Sequence, residues 1–323
     1  MSKEFLKVEN LKIDFMLPEN TVSAVRDVSF YLEKNEMLGI VGESGSGKSV
    51  SCLSIIHLLP KQAKISGRII LEGTDILDKD KVWIRKNIRG KRISMIFQDP
   101  TVVLNPIYSI GWQMKEALMF RENRIKDKKK ERKLIIDILD KLMITDPDEV
   151  INKYPHQLSG GMKQRIVIAI SLLLQSEILI ADEPTTSLDV TIQHEVVEII
   201  SGIKKDLKMS VIFISHDLNL LADYCDRIVV MYGGMVLESG STERIYNNPR
   251  NPYTRALLEC IPPIEGGMSN FKPIPGEIVD PRNPPPGCPF EPRCKNRKGR
   301  CKVEIPELIE SDDGSFVRCF YPN

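Results

Sequence analysis

An α/β fold built on a largely parallel sheet is predicted by three observations: short unbroken apolar runs, helix-like segments between them, and a glycine-rich turn directly after the first run. Glu36–Val41 is the first run and reads as a buried strand. Ile178–Ala181 and Val211–Ile214 are two more, continuous rather than alternating, as strands covered on both faces require. Each ends in polar residues, at the sheet edge where α/β folds bind ligands. Gly161–Gln175 and Thr191–Lys205 carry helical patterning. The stretch from Asp99 to Tyr154 holds no clear strand and is expected to be helical. Within it, Arg121–Lys133 has eight basic and three acidic residues. With no aromatics interleaved, it reads as a solvated face rather than a nucleic-acid surface.

The chain has 323 residues, room for one large domain or two smaller ones. Its 45 Lys+Arg against 44 Asp+Glu leave a net charge of +1, which argues against a general binder of nucleic acid or acidic substrates. With 42% hydrophobic and 28% charged residues, wholesale disorder is excluded. The longest apolar stretches, Ile166–Leu174 and Ile228–Val236, are about half of what a bilayer-spanning helix needs. The opening MSKEFLKVEN has no basic-then-apolar leader. A cytosolic protein that reaches a membrane only through a partner is expected.

Gly42-Glu43-Ser44-Gly45-Ser46-Gly47-Lys48-Ser49 has the spacing of a phosphate-binding loop. Glycines let successive backbone N–H groups turn toward phosphate oxygens, and the helix that follows offers its N-terminus to the same anion. Lys48 would neutralise β/γ charge, and the Ser49 hydroxyl would ligate Mg²⁺. Asp182, closing the run at Ile178, is placed to hold Mg²⁺; Glu183, one residue on, is placed to orient or deprotonate water. Ser159, Gly160 and Gly161 open a helix and form a second anion-ready N-terminus, although simple capping would explain them locally.

From Cys260 the composition changes. Twelve of the 21 prolines lie between Pro262 and Pro322, so irregular chain needing a staple or a partner surface is expected. Cys52, Cys225 and Cys260 are scattered and read as buried small hydrophobes. Cys288, Cys294, Cys301 and Cys319 cluster in this tail, and in a reducing compartment favour metal over disulfides. Their spacing lacks the short knuckle of structural zinc and suits a [4Fe–4S] cluster; Zn²⁺ and free cysteines remain alternatives. The basic residues around them, Arg293, Lys295, Arg297, Lys298, Arg300 and Lys302, read as a solvated surface loop, with charge compensation as the alternative.

Taken together, these pieces resemble the ATPase subunit of an ABC transporter. Gln157–Arg165 resembles the signature motif of that superfamily, and Asp182–Asp189 its Walker B and D-loop. Gln98 matches the Q-loop, and His216 the switch histidine. Phe97–Pro100 with Leu104-Asn105-Pro106, Asp189–Gln193, Asn251–Leu258, Gly287–Phe290 and Pro292–Cys294 are similar to the dipeptide/oligopeptide importer family, across essentially the whole chain. Met162, where a sister ATPase often carries Gln, resembles the D-type member of the pair.

The resemblance implies a P-loop NTPase ATPase domain over residues 1–250, with a RecA-like core, an antiparallel β subdomain and a helical subdomain near 99–155. A small irregular Cys-rich extension would occupy 251–323. It implies a head-to-tail dimer with a sister ATPase, two ATP molecules enclosed between them, on two transmembrane permease subunits served by an extracellular binding protein. The chain would lie at the cytoplasmic face of the membrane. Ser159, Gly160 and Gly161 would then serve the partner's γ-phosphate, Asp189 would cross the interface, Gln98 would sense Mg²⁺ and water, and His216 would contact the γ-phosphate. Phe15 is the candidate adenine-stacking residue; a plain core aromatic is the alternative. The cargo implied is a di- or oligopeptide, with nickel or sugars as alternatives. A nucleic-acid- or ribosome-associated ABC ATPase is disfavoured, since the chain has one cassette and no coiled-coil insertion.

Overall fold

The computed structural model describes residues 4–121, 125, 127–185, 190–260 and 273–323. In chain order its elements are β1 (Glu4–Met16), β2 (Thr21–Glu33), β3 (Met37–Val41), α1 (Lys48–Ile55), β4 (Ala63–Leu71) and β5 (Thr74–Asp75). Then come α2 (Lys81–Asn87), β6 (Ile93–Ile96), α3 (Pro100–Val103), α4 (Ile110–Phe120), α5 (Lys128–Lys141), α6 (Pro147–Val150), α7 (Gly160–Leu173), β7 (Ile178–Asp182), α8 (Val190–Leu207) and β8 (Ser210–Ile214). The remainder is α9 (Leu218–Tyr224), β9 (Arg227–Tyr232), β10 (Met235–Ser241), α10 (Thr242–Asn247), α11 (Pro252–Glu259), α12 (Gly299–Val303), β11 (Ile309–Glu310) and β12 (Phe316–Val317).

The chain forms two compact units, one of residues 1–33, 37–79 and 214–323, the other of 34–36 and 80–213. In the first, strands run in the order β5-β4-β1-β2-β10-β9-β3. The β1–β2, β1–β4 and β9–β10 pairs are antiparallel; β3–β9 and the short β2–β10 contact are parallel. β3 is buried along its whole length, which is why its sequence is uniformly apolar. β1 and β2 are 13 residues each and mix buried with half-exposed positions through several register shifts. In the second unit β8, β7 and β6 lie side by side, with β6 parallel to β7 from Ile93↔Ile178 to Ile96↔Ala181.

The described residues of 99–154 contain helices and no strand, as the sequence indicates. Short polar residues set the helix starts: Asp80 accepts from the Val82 and Trp83 amides, Asp127 from Lys129 and Lys130, and Asp217 from Asn219 and Leu220. The basic run ends in α5, whose Lys128, Lys129 and Lys130 are solvent-exposed while Ile135 and Leu139 face the core. Among the described residues no helix is long and apolar enough to cross a membrane.

The tail is less irregular than its prolines suggest. β12 pairs antiparallel with both β10 and β11, so residues near the C-terminus add strands to the main sheet. Arg318 anchors them: its guanidinium donates to the Val236 carbonyl at 2.9 Å, to the Pro306 carbonyl at 3.1 Å and to Asp27 at 2.8 Å. At the joint, Glu238 is fully buried and accepts from the Arg250 amide (2.8 Å), the Asn251 amide (2.9 Å) and the Arg244 guanidinium (3.1 Å).

Candidate functional site

In the first unit the glycine loop leaves β3 and leads into α1. Gly42 approaches β9 so closely that a Cβ would stand 2.1 Å from the Met231 carbonyl oxygen. Gly47 has φ +96°, where a Cβ would meet the Ala24 carbonyl oxygen at 2.7 Å. It is also the N-cap of α1 and supplies no side-chain cap. Lys48 is buried and donates to the carbonyls of Gly42 (2.7 Å) and Glu43 (3.1 Å). The Ser46 hydroxyl is buried with no hydrogen-bond partner among the described residues. Ser44 and Gly45 are exposed, and Ser49 is half-buried. An uncapped helix start, an orphaned hydroxyl and a buried ammonium form a donor set that suits a polyphosphate.

His216 emerges at the same edge, because the Ser215 amide donates to the Ile40 carbonyl of β3 at 3.2 Å and hands the next residue to solvent. Phe15 is half-buried and lines an apolar recess with Met16, Leu17, Pro18, Val22 and Pro60. The strand that forms a wall of this recess, β2, also passes beneath Gly47 at Ala24 and Val25.

The second unit brings two predicted residues together. Gln98 lies two residues past β6 and Glu183 one residue past β7; its Nε2 donates to Glu183 Oε2 at 3.0 Å. Glu183 has φ +45°, a conformation that costs a non-glycine residue about 1–3 kcal/mol and turns the chain sharply off the strand. Asp182, just before it, is buried at the strand end. Ser159 caps α7 by accepting from the Met162 amide at 3.3 Å. Ser159 and Gly160 are exposed, and a Cβ on Gly160 would meet nothing within 4 Å. Among the described residues, no packing requires that glycine. Asp189 lies outside the described residues.

Two positions that fall within the quoted motifs have buried partners that the sequence did not indicate. Gln164, on α7, is buried and donates to the Pro184 carbonyl at 2.7 Å, while Gln193 donates to Thr185 at 3.0 Å. Together they pin the segment leaving Glu183. The second is Arg293, expected to be solvated but buried, and bonded to Glu43. Its neighbours Lys295, Arg297, Lys298, Arg300 and Lys302 are exposed or half-exposed, so the expectation fails at one position only.

Cys288, Cys294, Cys301 and Cys319 line one small cavity with Phe290 and Phe320. Their backbone is tied locally: the Cys288 amide donates to the Cys301 carbonyl at 2.8 Å, an approach that leaves no room for a Cβ on Gly287. Burial pushes the Cys288 thiol up to about 11 and raises Cys294 and Cys319 as well. Among the described residues no group of three or more His, Cys, Asp or Glu side chains is arranged to hold a metal ion. Cys52 and Cys225 are buried as expected, whereas Cys260 is half-exposed at the end of α11.

Residues 25–186 match the family model for ABC transporters, and residues 237–301 match the model for the oligopeptide/dipeptide transporter C-terminal region. The chain is 44% identical to the dipeptide transport ATP-binding protein DppD of Bacillus subtilis, over 98% of this chain and 95% of the relative. It is 38% identical to the oligopeptide transport ATP-binding protein OppD of Haemophilus influenzae, over 98% of this chain and 96% of that one. Among solved structures, the ATP-binding cassette MJ0796 in a dimeric post-hydrolysis state with ADP and Pi superposes with a TM-score of 0.66 at 25% identity, covering 73% of this chain and 98% of the other.

Proposed function

Because the chain belongs to the ATP-binding subunits of the dipeptide/oligopeptide family of ABC transporters, we propose that it couples ATP hydrolysis to uptake of di- or oligopeptides through a membrane importer. The observation that carries the hydrolytic reading is the Gln98–Glu183 hydrogen bond at the ends of two adjacent parallel strands. It holds the general-base carboxylate beside the amide assigned to Mg²⁺ and water. Lys48, the Ser46 hydroxyl and the amides of Gly42, Ser44, Gly45 and Gly47 bind the phosphates, Ser49 and Asp182 take Mg²⁺, and His216 contacts the γ-phosphate. ATP supplies the phosphoanhydride, and Mg²⁺ neutralises the charge that develops on its oxygens. Phe15 stacks the adenine; the open recess beside it supports this role over a plain core position.

Ser159, Gly160, Gly161 and Asp189 complete the site of a sister subunit in a head-to-tail dimer. The exposure of Ser159 and Gly160 supports this. Met162 points to the D-type subunit, in keeping with the names of the relatives. A second exposed feature follows the Q-loop: Val102 (81% exposed), Ile107 (69%) and Trp112 (45%), with Tyr108 stacked on Trp112 at 3.9 Å. This apolar stripe supports docking on two transmembrane permease subunits, in keeping with a peripheral position on the cytoplasmic face. Residues 1–250 are read as the ATPase domain and 251–323 as the importer-specific extension. The four tail thiols share a small cavity but are not arranged as a metal centre, so the [4Fe–4S] cluster proposed there rests on the cysteine spacing alone; iron and sulfide content of anaerobically prepared protein tests it.

The decisive experiment is steady-state hydrolysis in the assembled transporter. Lys48→Ala is expected to lose Mg-nucleotide binding. Glu183→Gln is expected to bind ATP but to turn over at least about 10²-fold more slowly. Wild-type protein that takes up no Mg-nucleotide, or undiminished turnover in Glu183→Gln, overturns the assignment.

A further inference from the structure

Glu43, the second residue of the phosphate loop, is an anion placed where an anion must bind. Every polar group it has is held. Its amide donates to the Tyr253 hydroxyl at 3.1 Å, and its carbonyl accepts from Lys48 at 3.1 Å and from the Ser46 amide at 3.2 Å. Its carboxylate takes a two-pronged pair from Arg293, at 2.5 and 3.0 Å. The Arg293 side chain is only 4% exposed. Its remaining donors go to the carbonyls of Pro275 (3.0 Å) and Ile274 (3.2 Å) and to the Tyr232 hydroxyl (3.2 Å). Tyr232, Tyr253 and Phe290 pack against one another with ring centroids 4.6–5.5 Å apart, forming a rigid wall behind the pair. Arg293 and Phe290 belong to the segment carrying Cys288 and Cys294, some 250 residues from the loop in sequence.

We propose that Arg293 is a positioning residue of the nucleotide site: by neutralising and orienting Glu43, it lets the C-terminal extension set the affinity of the loop for MgATP. An unpaired carboxylate at this point would repel the polyphosphate and attract the Lys48 ammonium that the nucleotide needs. Bidentate pairing removes both effects and fixes the loop geometry at the same time. The inference rests on the nucleotide-site reading above.

Equilibrium MgATP binding and the KM and kcat for ATP, measured on the full-length protein and its transporter, test it. Arg293→Met is expected to weaken MgATP binding about tenfold, through KM rather than kcat. Glu43→Gln/Arg293→Met is expected to bind more tightly than Arg293→Met alone, because the uncompensated charge is gone. A residue that merely stapled the tail would show no such recovery. Binding by Arg293→Met equal to wild type, or a double variant no better than the single one, overturns the proposal. If Arg293→Met does not fold, Arg293→Lys decides: it keeps the charge without the fork, and its smaller loss must likewise be relieved by Glu43→Gln. Wild-type protein that binds no MgATP and is indifferent to Lys48→Ala would instead refute the underlying nucleotide site.

Discussion

Replacing Glu238 by Gln is expected to destabilise the first unit more than any conservative surface change. The carboxylate has 0% exposure and three donors in contact with it. One oxygen accepts from the Arg250 amide and from Arg244; the other accepts from the Asn251 amide. An amide side chain keeps only one acceptor. Its NH₂ group must then face one main-chain N–H, leaving a buried donor unsatisfied at about 1–3 kcal/mol. Loss of the charge also weakens the ion pair to Arg244, whose side chain is only 13% exposed, so a further 1–2 kcal/mol or so is lost. The expected total is about 3 kcal/mol, a large fraction of the stability of an ordinary domain. Urea unfolding followed by far-UV circular dichroism gives the magnitude. Hydrogen exchange gives the location, with protection falling first in α11 and β12. A change below about 0.5 kcal/mol, the range of neutral surface substitutions, would refute the reasoning.

Gly160→Ala adds a methyl group into open space and favours the helix, so the melting temperature should not fall. ATP turnover of the assembled transporter should nonetheless drop sharply if that glycine faces a neighbouring nucleotide, and full activity would dismiss the interface role. Gln164→Leu cuts the tie to Pro184 and should lower kcat about tenfold with little change in KM for ATP; an effect confined to KM would contradict it. Ile107→Asp places a charge in the exposed apolar stripe and should leave the isolated subunit folded while reducing its recovery with the permeases in co-purification. Undiminished recovery would remove the stripe from the docking surface.

The parts legible in the sequence are those whose chemistry is local. The loop from Gly42 to Ser49, the buried runs of β3, β7 and β8, and the strand-end carboxylates announce themselves within a few residues, because glycine spacing and continuous apolar character have direct structural consequences. The helical character of residues 99–154 was equally plain from the absence of strand patterning. The first two strands are harder to read, because their register shifts break the alternation that would have marked them. The buried roles of Gln164, Glu238 and Arg293 are invisible for a different reason: each is defined by its partner, even where the residue itself falls within a motif. Arg293 lies in a run of basic residues, and composition alone assigns such runs to solvent. What singles it out is Glu43, 250 positions earlier. Nothing short of the fold brings the two side by side.

The pairing of β12 with β10 bears on how the cassette can be divided. A fragment trimmed at residue 250 would leave β10 with bare N–H and C=O groups along one flank, and bare flanks recruit neighbouring chains. It would also strip Asp27 of Arg318. The last residues thus serve as an edge guard for the sheet that carries the phosphate loop, and trimmed versions should come out of the cell as aggregates rather than as smaller working enzymes.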